Sequence, residues 1–146
     1  MKNEKQGKVQ KIEISYEKAK NKLKKFFGEI MKRKDKRIKF VFVFGSVLTP
    51  RFNKLSDIDV CIYYDSDKKK RFNFLLNIKA SSPDLDIHIF QDLPLFVRKE
   101  VLKGKLVYAR DLTLVYDVAY QTIQEWEFFK NGYYDYIQRK GIKIES

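Results

Sequence analysis

Two aspartates, Asp57 and Asp59, stand at i and i+2 at the entry to the apolar run from Ile58 to Tyr64. Strand side chains alternate with period 2, so both carboxylates project to one face while Ile58 and Val60 project to the other. Unpaired carboxylates this close repel one another unless a cation lies between them. Hard oxygen ligands suit Mg²⁺, which takes one or two carboxylates and completes its octahedron with water and substrate phosphate oxygens. Gly45-Ser46, directly after the run from Ile38 to Phe44, supplies the complement. The glycine lets a phosphate approach the backbone, and the serine offers an N–H and a hydroxyl to the same anion. In isolation a Gly-Ser pair is more simply a tight turn; beside two carboxylates it reads as a phosphate cradle.

Asp84 and Asp86 repeat the i, i+2 spacing. Asp86 is flanked by Leu85 and Ile87, where an ionised side chain is costly unless paired or metal-bound. Asp84 follows Pro83 and reads as a solvated strand entry. If its strand lies beside that of Asp59, Asp86 can join Asp57 and Asp59 around two cations. That is the arrangement of two-metal nucleotidyl transfer, where one ion holds the triphosphate and the other lowers the pKa of the attacking hydroxyl. His88 shares the parity of Asp86, but a lone strand histidine is more often packed or hydrogen-bonded, and it is read so here.

These residues need elements to hold them. Ile12, Tyr16, Ala19, Leu23, Phe26 and Ile30 step by three and four, which predicts an amphipathic helix. Ile38 to Phe44, Ile58 to Tyr64, Leu85 to Phe90 and Leu106 to Ala109 predict strands. A short helix fits Arg71 to Lys79, ended by Ser81-Ser82-Pro83. Asp92 is the expected N-cap of a helix from Leu93 to Leu102, with Gly104 just past its end. A long helix is expected from Asp111 to about Lys140, with a continuous stripe through Leu112, Val115, Ala119, Ile123, Trp126, Phe129 and Tyr133. Its broad aromatic face suits core packing and a partner surface equally well. The alternation predicts an α/β (α+β) domain with a mixed sheet of about four strands flanked by helices.

The chain has 146 residues, 44% hydrophobic and 15% aromatic, enough for one packed domain and not the composition of a disordered chain. The longest purely apolar run, Phe40 to Phe44, is far too short to cross a membrane, and the charged start lacks a signal-peptide core. The single cysteine, Cys61, fits a reducing interior and a small buried hydrophobe, so the expectation is a soluble cytoplasmic protein. Residues 1 to 39 hold 15 Lys or Arg against 5 Asp or Glu, net +10, while residues 40 to 146 hold 16 against 14, net +2. Such a front segment attracts polyanions, RNA among them, or an acidic protein, and equally forms a solvated helix face. Lys68-Lys69-Lys70-Arg71 reads as a solvated helix start, and Tyr133, Tyr134 and Tyr136 as rings packed with their hydroxyls in water.

Gly45-Ser46, ten residues, then Asp57-Ile58-Asp59 resembles the signature of the polymerase β-type nucleotidyltransferase superfamily, and the later segments resemble its minimal nucleotidyltransferase (MNT) branch. Leu85-Asp86-Ile87-His88-Ile89-Phe90 followed by Asp92-Leu93-Pro94 is similar to that branch's third-carboxylate strand. The resemblance runs from about Ile38 to Lys140 and divides the chain into a basic helical extension, 1–37, and a nucleotidyltransferase domain, 38–146. One departure is clear: Val47-Leu48-Thr49-Pro50 replaces the small residue and Arg-Gly common after Gly-Ser, and the nearest arginine is Arg51.

The resemblance implies an antitoxin paired with a HEPN-domain ribonuclease toxin, which it silences by transferring AMP from ATP to a tyrosine hydroxyl. Asp57 and Asp59 would then bind two Mg²⁺ ions, Asp86 the catalytic one, and Gly45 and Ser46 the triphosphate. Two alternatives stand beside it. One is a nucleotidyltransferase acting on RNA or tRNA, favoured by the basic front segment. The other is a degenerate antitoxin that neutralises by binding alone, favoured by the missing Arg-Gly. A homo- or hetero-oligomer is compatible with each.

Overall fold

In a computed structural model, residues 4–45 and 58–141 are described, with side chains from residue 17 onward. A long helix, α1 (Glu4–Arg33), leads into strand β1 (Ile38–Phe44), and the chain resumes in β2 (Ile58–Tyr64). Helix α2 (Lys68–Ser81) precedes β3 (Leu85–Ile89), a 3₁₀ turn spans Phe90–Asp92, and α3 (Leu95–Leu102), β4 (Lys105–Ala109) and α4 (Leu112–Arg139) complete the order. The four strands run β3-β2-β1-β4 across one mixed sheet. β1 pairs antiparallel with β2 and with β4, whereas β2 and β3 are parallel, joined through α2.

Each face of the sheet is covered by helices because each face is apolar. Val60, Ile62, Val41, Val43, Ile87 and Ile89 pack with Ala19, Phe26 and Ile30 of α1 and Phe74 and Ile78 of α2. The described part of the α1 stripe, Ala19, Leu23, Phe26 and Ile30, thus faces the core as its spacing predicts. Phe40, Phe42, Cys61 and Phe90 form the opposite layer with Val101 of α3 and Val115 and Val118 of α4. A bulge at Lys39 lets Ile38 share a face with Val41 while Phe40 joins Phe42, because Ile38 pairs with Tyr64 and Phe40 with Tyr63. Buried Cys61 behaves as a small hydrophobe, its thiol pKa pushed well above the usual range by burial.

Local chemistry sets the element ends. Asp67 caps α2 by accepting from Lys70 N–H at 2.8 Å, so the helix starts three residues before the predicted Arg71. Asp111 caps α4 by accepting from Thr113 N–H at 2.9 Å. Asp92 does not cap α3. Leu93 precedes a proline and is extended at φ −85°, ψ 148°, which delays the helix to Leu95. Asp92 instead holds Arg71 at 2.8 Å, tying the start of α2 to the turn after β3, while Lys68 to Lys70 are exposed. Gly104 passes so close to Val43 O that a Cβ there would overlap it.

At the end of the sheet where β1 begins, the Tyr64 hydroxyl donates to Asp35 at 2.8 Å and Arg37 Nε donates to the same carboxylate at 3.0 Å. Burial raises the Asp35 pKa, but the hydrogen bonds from Tyr64 and Arg37 outweigh it and hold the carboxyl below its ordinary value. Burial and the Asp35 contact push Tyr64 up to about 12. The Tyr64 ring stacks on Phe74 with centroids 4.0 Å apart.

The long stripe of α4 is not a core stripe. Val115, Val118, Thr122 and Ile137 are buried, but Leu112, Ile123, Phe129 and Tyr133 are each more than half exposed. Helix length explains it: 28 residues reach about 42 Å, whereas the seven residues of β1 reach about 23 Å. The helix outruns the sheet that would cover it. Phe96 of α3, Trp126, Phe129 and Tyr133 form a ladder of rings with successive centroids 5.7, 5.9 and 6.1 Å apart. Lys99 caps it over Trp126 at 4.3 Å. Tyr133, Tyr134 and Tyr136 lie on this outer part of α4, all exposed.

Candidate active site

The parallel register of β2 and β3 sets Asp59 directly beside Asp86 and Cys61 beside His88. Since side chains alternate, Asp59, Asp86 and His88 share the face that also carries Phe42, Cys61 and Phe44, at the end where β2 begins. There the helical cover stops: the side chains of Asp59, Asp86 and His88 are 25%, 42% and 32% exposed. His88 Nε2 lies 3.0 Å from Asp86 Oδ2 and 3.8 Å from Asp59 Oδ1. One ligand atom from each of the three falls within 4.8 Å of the others.

β1 brings Gly45 to the same end of the sheet. Phe44 pairs with Asp59, and Gly45 follows with φ +81°, a left-handed conformation that glycine adopts without strain. A Cβ at Gly45 would overlap Asp59 Oδ2, so the residue's small size and its backbone conformation are both used. The backbone expected to receive a phosphate therefore runs against the carboxylate expected to hold a cation. Phe44 also packs its ring 5.9 Å from that of His88.

Of the residues singled out from the sequence, Gly45, Asp59 and Asp86 come together in this cluster. Ser46, Asp57 and Arg51, with the departure at Val47 to Pro50, lie outside the described residues. Asp84 is exposed, as a solvated strand entry should be. His88 is packed against Phe44 and within hydrogen-bond distance of Asp86, as its strand position suggested, and its Nε2 also faces Asp59. The signal was its i+2 spacing from Asp86; what the spacing could not tell was that β3 lies next to β2.

The donor set fits a divalent cation. Two carboxylates from adjacent strands converge on one partly exposed point with the His88 imidazole beside them. Their hard oxygens and the remaining exposure suit an ion that keeps open positions for water and phosphate. Asp59, Asp86 and His88 are the described residues that would hold it.

The polymerase beta, nucleotidyltransferase family model matches residues 21–113, more than half of the chain. A curated protein of Methanocaldococcus jannaschii, provisionally named a protein adenylyltransferase, is 29% identical over 75 residues. That stretch is 51% of this chain and spans only 58% of the relative's length. Among solved structures, a chain in a toxin–antitoxin crystal structure with AMP-PNP superposes with a TM-score of 0.60 at 17% identity, covering 82% of this chain and 95% of that one. A chain from the complex of tri-AMPylated Shewanella oneidensis HEPN toxin with MNT antitoxin gives 0.53 at 15% identity, covering 88% and 97%. These likenesses agree with the four-stranded mixed sheet and its flanking helices. With the family match extending from α1 through both acidic strands to the start of α4, the chain belongs to the polymerase beta nucleotidyltransferase family.

Proposed function

We propose that this protein transfers AMP from ATP to a tyrosine hydroxyl of a HEPN-type toxin, using Mg²⁺, and so acts as a cytoplasmic antitoxin. The observation that carries the reading is the convergence of Asp59 and Asp86 beside Gly45 in a member of this family. The provisional name of the M. jannaschii relative and the toxin–antitoxin complexes among the similar structures support it. Residues 1–37 serve as a basic helical extension to a nucleotidyltransferase domain at 38–146. Asp57 and Asp59 hold two cations, Asp86 holds the one next to the acceptor, and Gly45 and Ser46 bind the triphosphate.

When bound, the cations supply neutralisation of the triphosphate and a lowered pKa for the acceptor hydroxyl. The chain's own contribution is position. β2 and β3 hold Asp59 and Asp86 side by side, where their carboxylates would hold the cations and orient the acceptor hydroxyl. Gly45 leaves room for phosphate oxygens against the end of β1. The acceptor hydroxyl attacks the α-phosphate in line, its proton leaves toward the Asp86 side, and pyrophosphate departs. The partly exposed site admits a macromolecular acceptor from solvent.

A second reading, transfer to RNA, is favoured by Lys18, Lys20, Lys22, Lys24, Lys25 and Lys32, all exposed on α1. A third, neutralisation by binding alone, is favoured by the missing Arg-Gly and has a ready surface in the α4 ring ladder. Incubation with α-labelled ATP, Mg²⁺ and either a candidate HEPN-type partner protein or total tRNA separates them. Label on the protein partner that vanishes with Asp59→Ala supports the proposal. Label on tRNA supports the second reading, and neutralisation that survives Asp59→Ala without label supports the third.

A further inference from the structure

We infer that His88 Nε2 is a direct ligand of the cation held by Asp59 and Asp86, and that this nitrogen shifts the site's preference from Mg²⁺ toward Mn²⁺. The inference rests on the nucleotidyl-transfer reading of the same site and adds a nitrogen donor to a set otherwise made of oxygens.

Register comes first. Parallel pairing sets Asp59 beside Asp86, and His88, two residues further along β3, keeps the same face. The distances follow. Two donors bound at right angles to one cation through bonds of about 2.1 Å lie about 3 Å apart. His88 Nε2 and Asp86 Oδ2 are 3.0 Å apart, and the Asp59 oxygen lies 3.8 Å from the same nitrogen, between adjacent and opposite coordination positions. The His88–Asp86 pair thus already has the spacing of adjacent ligands, and a small movement of the Asp59 carboxylate completes the set. Packing against Phe44, 5.9 Å between ring centroids, limits the swing of the imidazole and so lowers the entropy lost on binding.

The donor type decides which ion gains. Mg²⁺ prefers six oxygens and gains little from imidazole, whereas imidazole suits first-row transition ions. Mn²⁺ accepts carboxylate and water ligands as Mg²⁺ does and tolerates a nitrogen among them. A site of two carboxylates and one imidazole therefore retains phosphate-transfer geometry while favouring Mn²⁺.

His88 is the only histidine in the sequence, so an untagged chain gives an unambiguous spectroscopic test. Mn²⁺ is added to the protein without nucleotide and read by pulsed electron paramagnetic resonance. The expected result is nitrogen modulation from a directly bound imidazole that changes to the ¹⁵N pattern when histidine alone is ¹⁵N-labelled. In His88→Asn the modulation disappears, and the ratio of Mn²⁺ to Mg²⁺ affinity, measured by competition, falls about tenfold or more. Labelling leaves the fold untouched, so the conclusion stands even if the substituted chain folds poorly. Manganese that binds without imidazole modulation, an unchanged affinity ratio in folded His88→Asn, or no manganese binding at all overturns the inference. If AMP transfer with Mg²⁺ persists in those cases, the proposed function survives; clear modulation with no transfer to any acceptor has the opposite meaning.

Discussion

Gly45 and Asp59 occupy one another's space: the position a Cβ would take on the glycine is already filled by Oδ2 of the aspartate. With φ at +81°, the backbone turns out of β1 in a way that disfavours any L side chain. Gly45→Ala therefore strains the turn and pushes Asp59 aside. The atom in the way ends a short rotatable side chain, so the stability cost is modest, about 1–2 kcal/mol, while divalent-cation binding falls sharply. Urea unfolding beside cation titration checks it; wild-type cation affinity in the folded variant would contradict the proposed geometry.

Asp86→Asn should separate activity from stability in the other direction. The side chain is 42% exposed, so the substitution changes unfolding free energy by about 0.5 kcal/mol or less. Losing one of two converging charges weakens cation binding and lowers AMP transfer at least a hundredfold, on the order of the larger losses seen around metal sites. Thermal melts and the labelled-ATP assay on the same preparation decide the point, and transfer near the wild-type rate would remove Asp86 from the site.

Asp35 and Tyr64 predict stability losses at both ends of the pH scale. The folded pKa of Asp35 lies below its ordinary value of 3.8, so its contribution is present above about pH 4 and is lost as pH falls through the folded value. Tyr64 is raised from 10.0 to about 12, so its contribution is intact below pH 10 and is lost as pH climbs toward 12. Tyr64→Phe removes the 2.8 Å hydrogen bond, costs about 1–2 kcal/mol at neutral pH, and flattens both limbs. Urea midpoints measured between pH 2.5 and 12 on the two proteins test this, and parallel curves would exclude the pair as their source.

The outer and inner parts of α4 call for a contrast. Phe128 is 83% exposed and Val118 is 9% exposed. Phe128→Ser should leave stability within about 0.5 kcal/mol of wild type, whereas Val118→Ala should cost about 1–2 kcal/mol. Comparable losses at both positions, read by urea unfolding, would restore the outer half of α4 to the core.

The sequence was informative wherever the physics is local. Period-2 alternation put Asp86 with His88 on a common strand face, and residue types placed all four strands within a residue or so of their observed ends. The long helix was expected to start at Asp111, and the N-cap found there depends only on a side chain and an N–H two residues away. The same local reasoning misplaced Asp92, whose partner, Arg71, is 21 residues away in sequence.

Tertiary structure decided what depends on neighbours distant in the chain. Nothing within β2 or β3 specifies that they pair in parallel with Asp59 beside Asp86, yet that register makes two separate acidic strands into one site and brings His88 to both carboxylates. The spacing of apolar residues on α4 describes a stripe but not the length of the sheet beneath it, so it could not distinguish a buried face from an overhanging one. Side-chain direction is set by the backbone at each residue, whereas burial and coordination are set by whatever the rest of the chain packs alongside.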